Sequence, residues 1–493
     1  MSFRTGKVDS IPGSYVLKHL KLFSQTGTGV DLDHLFLEFS IFEDLFAGNI
    51  SGALTLAESF NIVSNLPIVE GDIIQIYATV NYKDPTMIAV DDIKSELKMD
   101  FEIIKITDRA TIKQDMSVVT LILATSGWSD NTFQRVSRSF NQKKYSEMAQ
   151  LIFDENFQVG GLLDFVRDSS FYSGSTGPAF TEPKGIFVEP TDGLYNIVIP
   201  SWQPIKVLNF LANRATNGKE VSDWLFFEDP ELFRFVSINS LFAKGPIGDH
   251  FTQISNIKDG DLLDKRIYQN FHSLQYSDSG NILEAAKNGM FSNNMLVYDI
   301  YSKVLTEYRS LSLPDADNYV VEKDFNYIEN FDMKEHCDKG KIPLTKELTA
   351  FKYATDPGRA KKTFLLDHPL MFDEQKLGYE FEKFSRQRTS QKEALQYYKL
   401  TATGPGLFSR KIGDVINLEL ATPEINSSGK TDTRLKGNYL ISALRRVFTP
   451  DNHSMTLELV KDNYFSEASN PLWNQGLEAP MSPRPPLSPG GGM

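Results

Sequence analysis

Cysteine is almost absent from this chain: Cys337 is the only one in 493 residues. A lone thiol cannot form an intrachain disulfide, so the fold is expected to rest on burial and hydrogen bonding, in a reducing cytoplasm. Long apolar runs are missing too. No uninterrupted stretch approaches the roughly 18 residues of a membrane-crossing helix. The opening MSFRTGKVDSIPGSYV has no apolar signal core, so the expectation is a chain neither conventionally secreted nor membrane-spanning. Basic blocks are also lacking. With 64 acidic against 51 basic residues the formal charge is −13, and such a surface repels phosphate, which argues against tight nucleic-acid binding. The densest basic stretch, RAKK at 359–362, is short and lies between Asp356 and Asp367, as a solvated loop would.

Motifs that carry chemistry are equally scarce. Ser428-Gly429-Lys430-Thr431 resembles the end of a phosphate loop, but Glu424 stands where a second glycine is needed to let backbone N–H groups surround a phosphate. A polar hairpin loop is the simpler reading. Glu335-His336-Cys337-Asp338 brings metal-ligating types together, yet adjacent ligands rarely converge on one ion, and the seven histidines (19, 34, 250, 272, 336, 368 and 453) are scattered. No G-x-S-x-G elbow occurs. Acid pairs at Glu43-Asp44, Asp91-Asp92 and Asp373-Glu374 are what 64 carboxylates produce by chance. No residue is therefore nominated as catalytic, cofactor-binding or metal-binding, and no cofactor is expected.

What is present is strand pattern. In DVINLEL, Ile416, Leu418 and Leu420 alternate with Asn417 and Glu419; in SMTLELVKD, Met455, Leu457 and Leu459 alternate with Thr456, Glu458 and Val460. NYLISALRRVF lies between them, and Pro450-Asp451-Asn452 marks a turn. Period-two alternation sends one face to a core and the other to solvent or a partner. Residues 14–126 read the same way, with several short strands. HLFLEFSIFEDLF would put Leu35, Leu37, Phe39 and Ile41 on one face and Phe36, Glu38, Ser40 and Phe42 on the other. Aromatics on the nominally polar face suggest cover by another domain or subunit.

Between about 140 and 270 the period changes. Tyr145, Met148, Leu151 and Ile152 have helical spacing, and Pro204 can start a helix whose stripe is Ile205, Leu208, Leu211 and Ala212. SDWLFFED and LFRFVSI read as a hairpin around Asp229-Pro230-Glu231. MLVYDIYSKVLTEYR reads as strands, with a helix open for part of it, and residues 310–390 carry little periodicity. Six prolines from Pro471 to Pro489 and a terminal glycine run preclude a packed domain there. The expected fold is mainly β with an α+β insert, multidomain. The divisions are 1–126 (first β domain), 127–270 (α+β accessory domain), 271–400 (mixed region), 401–464 (closing β module) and 465–493 (Pro/Gly-rich tail).

Three stretches, in this order, resemble the baseplate hub proteins of contractile-tailed bacteriophages and, more distantly, the head of the type VI secretion spike. They are LFLEFSIFEDLFAGNISGALTLAESFNIVSNLPIVEGDIIQI (35–76), IKVLNFLANRATNGKEVSDWLFFEDPELFRFVSINSLF (205–242) and residues 408–464, with IGDVINLEL, LKGNYLIS and TLELVKD. The resemblance implies two tail-tube-like β-barrels per subunit plus a helix-and-hairpin domain. The candidate barrels are 14–126, and 270–330 with 391–464. A homotrimer would make a pseudo-sixfold ring joining the hexameric tail tube to the trimeric central spike. It implies a structural virion protein rather than an enzyme, located in the tail baseplate and assembled in the host cytoplasm. Its implied partners are the spike, the tube, other baseplate proteins and a candidate tape measure protein, with DNA passing through the channel unbound. Two alternatives belong to other classes. One is a tail-associated peptidoglycan hydrolase seated in 270–400. The other is a carbohydrate-binding tail protein using Trp128 or Trp202.

Overall fold

Short alternating strands can bury one face only by pairing edge to edge and curling over it. The N-terminal region does this with β1 (Tyr15–Phe23), β2 (Gly29–Asp31), β3 (Phe36–Asp44), β4 (Ser51–Glu58), β5 (Ile73–Val80), β6 (Glu96–Lys113) and β7 (Met116–Ala124). They pair antiparallel in the order β3-β4-β7-β6-β5-β1-β2. Leu20 and Leu22 of β1, Phe39 and Ile41 of β3, Leu54, Ile74, Phe101 and Leu121 meet in one buried cluster. The computed structural model describes residues 13–24, 29–58, 68–80, 96–113, 116–125, 127–157, 184–216, 222–247, 251–252, 270–279, 292–299, 305–311, 361–367, 398–420 and 435–461, with a few isolated positions.

The accessory region follows: α1 (Gly127–Phe133), β8 (Val136–Lys143), α2 (Tyr145–Asn156), β9 (Ile186–Val188), β10 (Tyr195–Trp202), α3 (Pro204–Ala212), β11 (Trp224–Glu228), β12 (Phe233–Ser237) and α4 (Ile238–Ala243). Pro204 does open α3, where its missing N–H costs nothing. The expected hairpin forms as β11–β12, with β9 added parallel to β12. Both of its faces are covered. Trp224, Phe226, Phe233 and Phe235 pack with Met148 and Ile152 of α2 and Val207, Leu208 and Leu211 of α3. Leu225, Phe227 and Val236 face the other way, into the C-terminal core.

The remaining elements are β13 (Phe251–Thr252), β14 (Ser273–Ser279), β15 (Ser292–Asp299), β16 (Leu305–Leu311), β17 (Lys361–Asp367), β18 (Tyr398–Pro405), β19 (Val415–Glu419), β20 (Gly437–Phe448) and β21 (His453–Lys461). The stretch read as strands with a helix left open is the antiparallel pair β15–β16, with β17 parallel to β15 in a separate three-stranded sheet. The C-terminal strands join the N-terminal ones. A single 13-stranded sheet runs β14-β18-β21-β20-β3-β4-β7-β6-β5-β1-β2, with β19 on β20 and β13 on β19. Among the described residues this path has two ends, β14 and β2.

Two face assignments need correction. Leu37, expected inward, is 42% exposed, while Phe36, expected outward, is buried. A bulge between Phe36 and Glu38 shifts the register against β4 by one residue, which turns Phe36 to the core and leaves Leu37 outward, while Leu35 still packs against the core. Val460, expected outward, is buried in the same cluster as Leu459, where the end of β21 lies between β18 and β20.

Candidate assembly interface

The residues weighed in the sequence are dispersed. Glu43 and Asp44 part company: Glu43 is buried, whereas Asp44 is exposed and accepts the Phe46 N–H at 2.8 Å. Trp202 packs edge-on to Phe210 at 5.1 Å, with Lys206 4.8 Å from its ring. Trp128 stands 45% exposed on α1. Among the described residues no three His, Cys, Asp or Glu side chains gather as metal ligands. The 335–338 cluster, the SGKT stretch, Asp91-Asp92, Asp373-Glu374 and the 465–493 tail lie outside the described residues.

The features that stand out are joints, and the first is the β3–β20 seam. Six residue pairs join the strands antiparallel, from Ala443 opposite Asp44 to Phe448 opposite Phe39. Consecutive arginines on β20 point to opposite faces. Arg446 turns inward and donates from Nε to Glu43 Oε1 at 2.7 Å, both side chains having no solvent exposure. It also donates to the carbonyls of Leu407 (3.0 Å) and Arg410. Arg445 turns outward, donating to Glu38 at 2.9 Å and Ser40 Oγ at 3.1 Å, with its guanidinium carbon 5.5 Å from the Phe42 ring. A buried pair contributes little net stability when intact, because desolvation offsets attraction, but losing one partner strands a charge. The exposed pair contributes at most about 1 kcal/mol.

The second joint is the hairpin turn between β11 and β12. Glu228 accepts from the Ile50 N–H at 2.9 Å and Thr125 Oγ1 at 2.6 Å, both in the N-terminal region, and from Lys184 Nζ at 2.6 Å. Its neighbour Asp229 accepts the Glu231 and Leu232 N–H groups at 2.7 and 2.8 Å, closing the turn. It also accepts from Arg234 and lies 3.6 Å from Lys411, which belongs to the C-terminal region. Burial alone would raise the Asp229 carboxyl. Lys411, Arg234 and the Leu232 N–H outweigh it and hold the group below the ordinary Asp range. Two adjacent acids on one turn thus tie the accessory segment to the β module on either side. Nearby, burial pushes Asp414 up to about 6 despite the Lys411 N–H and the Lys411 and Arg410 charges.

The third joint is the β20–β21 turn. His453 stacks on Phe448 (4.1 Å between ring centres, 3° between planes) and on Phe408 at 5.0 Å. The His453 N–H donates to Gly13 O at 2.8 Å, and Tyr15 Oη donates to Thr449 O at 2.6 Å. The start of β1 is thereby fixed to the far end of the C-terminal strands. Gly13 has φ +85°, and an added Cβ would sit 2.5 Å from His453 O, so only glycine suits both the backbone and the close approach. Burial, then the Arg446 charge, holds the imidazole well below its ordinary pKa.

Outside the joints the outer surface is sparse in chemistry. Among the described residues its large exposed apolar side chains are Val16, Leu37, Phe42 and Val69, with Trp128, Phe133 (85% exposed), Phe187, Leu194 and Val198 in the accessory region. Threonines face each other across strands at Thr55–Thr120 and Thr403–Thr456, each 3.4 Å apart. The arrangement fixes two β modules and an insert in one geometry. Sequence reasoning missed the Glu43–Arg446 pair and the Glu228/Asp229 turn. The one available signal was Arg446 itself, a charge at an inward position of the β20 alternation.

No family model and no curated protein sequence matches this chain. Solved structures are similar to it. A tail protein from Neisseria meningitidis MC58 has TM-score 0.48 at 8% identity, covering 92% of this chain and 98% of its own. The 43 kDa tail protein of prophage MuSo2 from Shewanella oneidensis has TM-score 0.49 at 11% identity, covering 90% and 99%. An E. coli component of the type VI secretion system has TM-score 0.38 at 7% identity, covering 92% and 78%. The structural neighbours are thus phage tail and type VI secretion proteins, and at these identities no residue role transfers from them.

Proposed function

We propose that this chain is a structural subunit of a phage-type tail, the central baseplate hub. Three copies form a pseudo-sixfold ring that joins a hexameric tail tube to a trimeric spike and leaves a channel for DNA. The observation that carries the reading is the β3–β20 seam, which sets two β modules side by side in one continuous sheet. Three such subunits offer six modules around an axis, the number a hexameric tube requires, while the threefold repeat suits a trimeric spike. Closed points of this kind are the usual outcome of identical copies associating. The braced turn at Glu228 and Asp229 supports the same reading, because a ring component must hold its modules at a fixed angle.

On this reading the chain works by shape and catalyses nothing. Its partners are its own copies, the spike, the tube and other baseplate proteins, within a virion tail assembled in host cytoplasm. Co-expression with the trimeric spike protein of the same tail, followed by native mass measurement, tests the reading. A three-plus-three complex is expected, and a chain that stays monomeric in the spike's presence overturns it. Clearing of peptidoglycan suspensions by the purified chain would instead favour a hydrolase.

A further inference from the structure

The β20–β21 turn holds a titratable group where a proton cannot be accommodated. His453 is 1% exposed, and its Nε2 has no hydrogen-bond partner among the described residues. Phe448 and Phe408 cover its ring, and Tyr15 approaches edge-on at 6.4 Å. Gly406 lies against the ring so closely that an added Cβ would fall 2.1 Å from Nδ1. The charged groups around this site are one-sided. From β20 comes Arg446, whose counter-ion Glu43 on β3 is already engaged. Among the described residues β1 adds only the Tyr15 hydroxyl, and Asp451 lies in the solvent-facing turn. A second positive charge on the imidazole would meet aromatic rings and an arginine, with no free carboxylate facing it among the described residues.

We propose that this turn is an acid-operated latch: proton uptake at His453 expels the ring from its stack and releases the start of β1. Three hydrogen bonds, two of them between backbone groups, depend on the closed position. The His453 N–H donates to Gly13 O, the Gly406 N–H donates to His453 O, and Tyr15 Oη donates to Thr449 O. Phe408 and Phe448 belong to the N-terminal core although they come from C-terminal segments. Opening the latch therefore loosens the contact between the two modules at the end of their shared seam. The proton binds the open form, where the imidazole is hydrated. Taking an ordinary value of about 6.5 for that form, opening becomes about tenfold more populated at pH 5.5 than at pH 7.5.

Hydrogen–deuterium exchange of the full chain at pH 7.5 and 5.5, with labelling times scaled for intrinsic exchange, tests the latch. Peptides spanning 13–23 and 446–461 are expected to open about tenfold more at pH 5.5, while β4 and β7 do not change. His453→Gln removes the titrating group and is expected to abolish the pH response at whatever level of opening it shows. Gly406→Ala drives the ring out mechanically and is expected to raise exchange at both pH values. Equal scaled protection of the wild-type peptides at the two pH values overturns the proposal, as does an undiminished response in His453→Gln. Should His453→Gln fail to fold, the wild-type comparison and Gly406→Ala decide.

Discussion

The two β modules share a sheet but not a manner of building a core. The N-terminal module is nearly self-sufficient: its cluster is drawn from β1 to β7 and their loops, with only Phe408 and Phe448 added from elsewhere. The C-terminal module has fewer strands and borrows. Leu225, Phe227 and Val236 of the hairpin, Ile238, Leu241 and Phe242 of α4 and Leu45 of the first module complete its cluster. Its six strands in the shared sheet leave apolar surface that their own side chains do not cover, and the hairpin and α4 act as its lid. The lesson is that one face of the accessory hairpin, with α4, completes the second module's core while its other face closes a core of its own with α2 and α3.

The asymmetry can be broken at its centre. Arg446→Ala removes the buried cation at the seam and leaves Glu43 uncompensated. A loss of about 3–5 kcal/mol in urea unfolding is expected, with both modules affected because the seam belongs to both. Phe227→Ala should separate them. It opens a cavity in the borrowed core at a cost of about 3–5 kcal/mol. Exchange protection should fall in β18 to β21 while β4 and β7 keep theirs, and equal loss in both modules would refute the division.

Asp414 sharpens the comparison through pH. Its folded pKa of about 6 lies above the unfolded value of 3.8, so the native state binds the proton more tightly. Its contribution is then favourable below pH 4 and is lost as pH rises through about 6. Asp414→Asn keeps an acceptor for the Lys411 N–H and is expected to stabilise the C-terminal module by about 1–3 kcal/mol at pH 7.5, with little effect near pH 4. Thermal melts at the two pH values check the sign. The smallest effect is expected at the outer seam, where Arg445→Ala should cost less than about 1 kcal/mol and less still in high salt. A larger, salt-independent loss would mean that the two arginines are not divided as their burial implies.

Much of this was legible in the chain. The alternation in DVINLEL and TLELVKD fixed the inward set of Ile416, Leu418, Met455, Leu457 and Leu459, because period-two burial is a local property. Pro204 and the Asp229-Pro230-Glu231 turn announced themselves through backbone chemistry that acts within a few residues. The seam did not. Pairing of β3 with β20 joins residues about 400 apart, and two alternating strands carry no mark of which edge they will choose. The bulge at Phe36 was hidden for a related reason: an extra residue shows only against its partner strand. Buried Glu43, Glu228 and Arg446 look like surface residues until their partners arrive from distant segments.

The seam has a mechanical consequence. A subunit whose two halves were tied by a flexible linker would yield under tension by uncoiling that linker. Here the halves are stitched by six consecutive cross-strand pairs, and a pull along the strands must break these backbone bonds together, in shear, before one half can slide past the other. Force applied along the strands at one module would then be passed directly to the other, with the salt-linked turn at Glu228 and Asp229 resisting any bend.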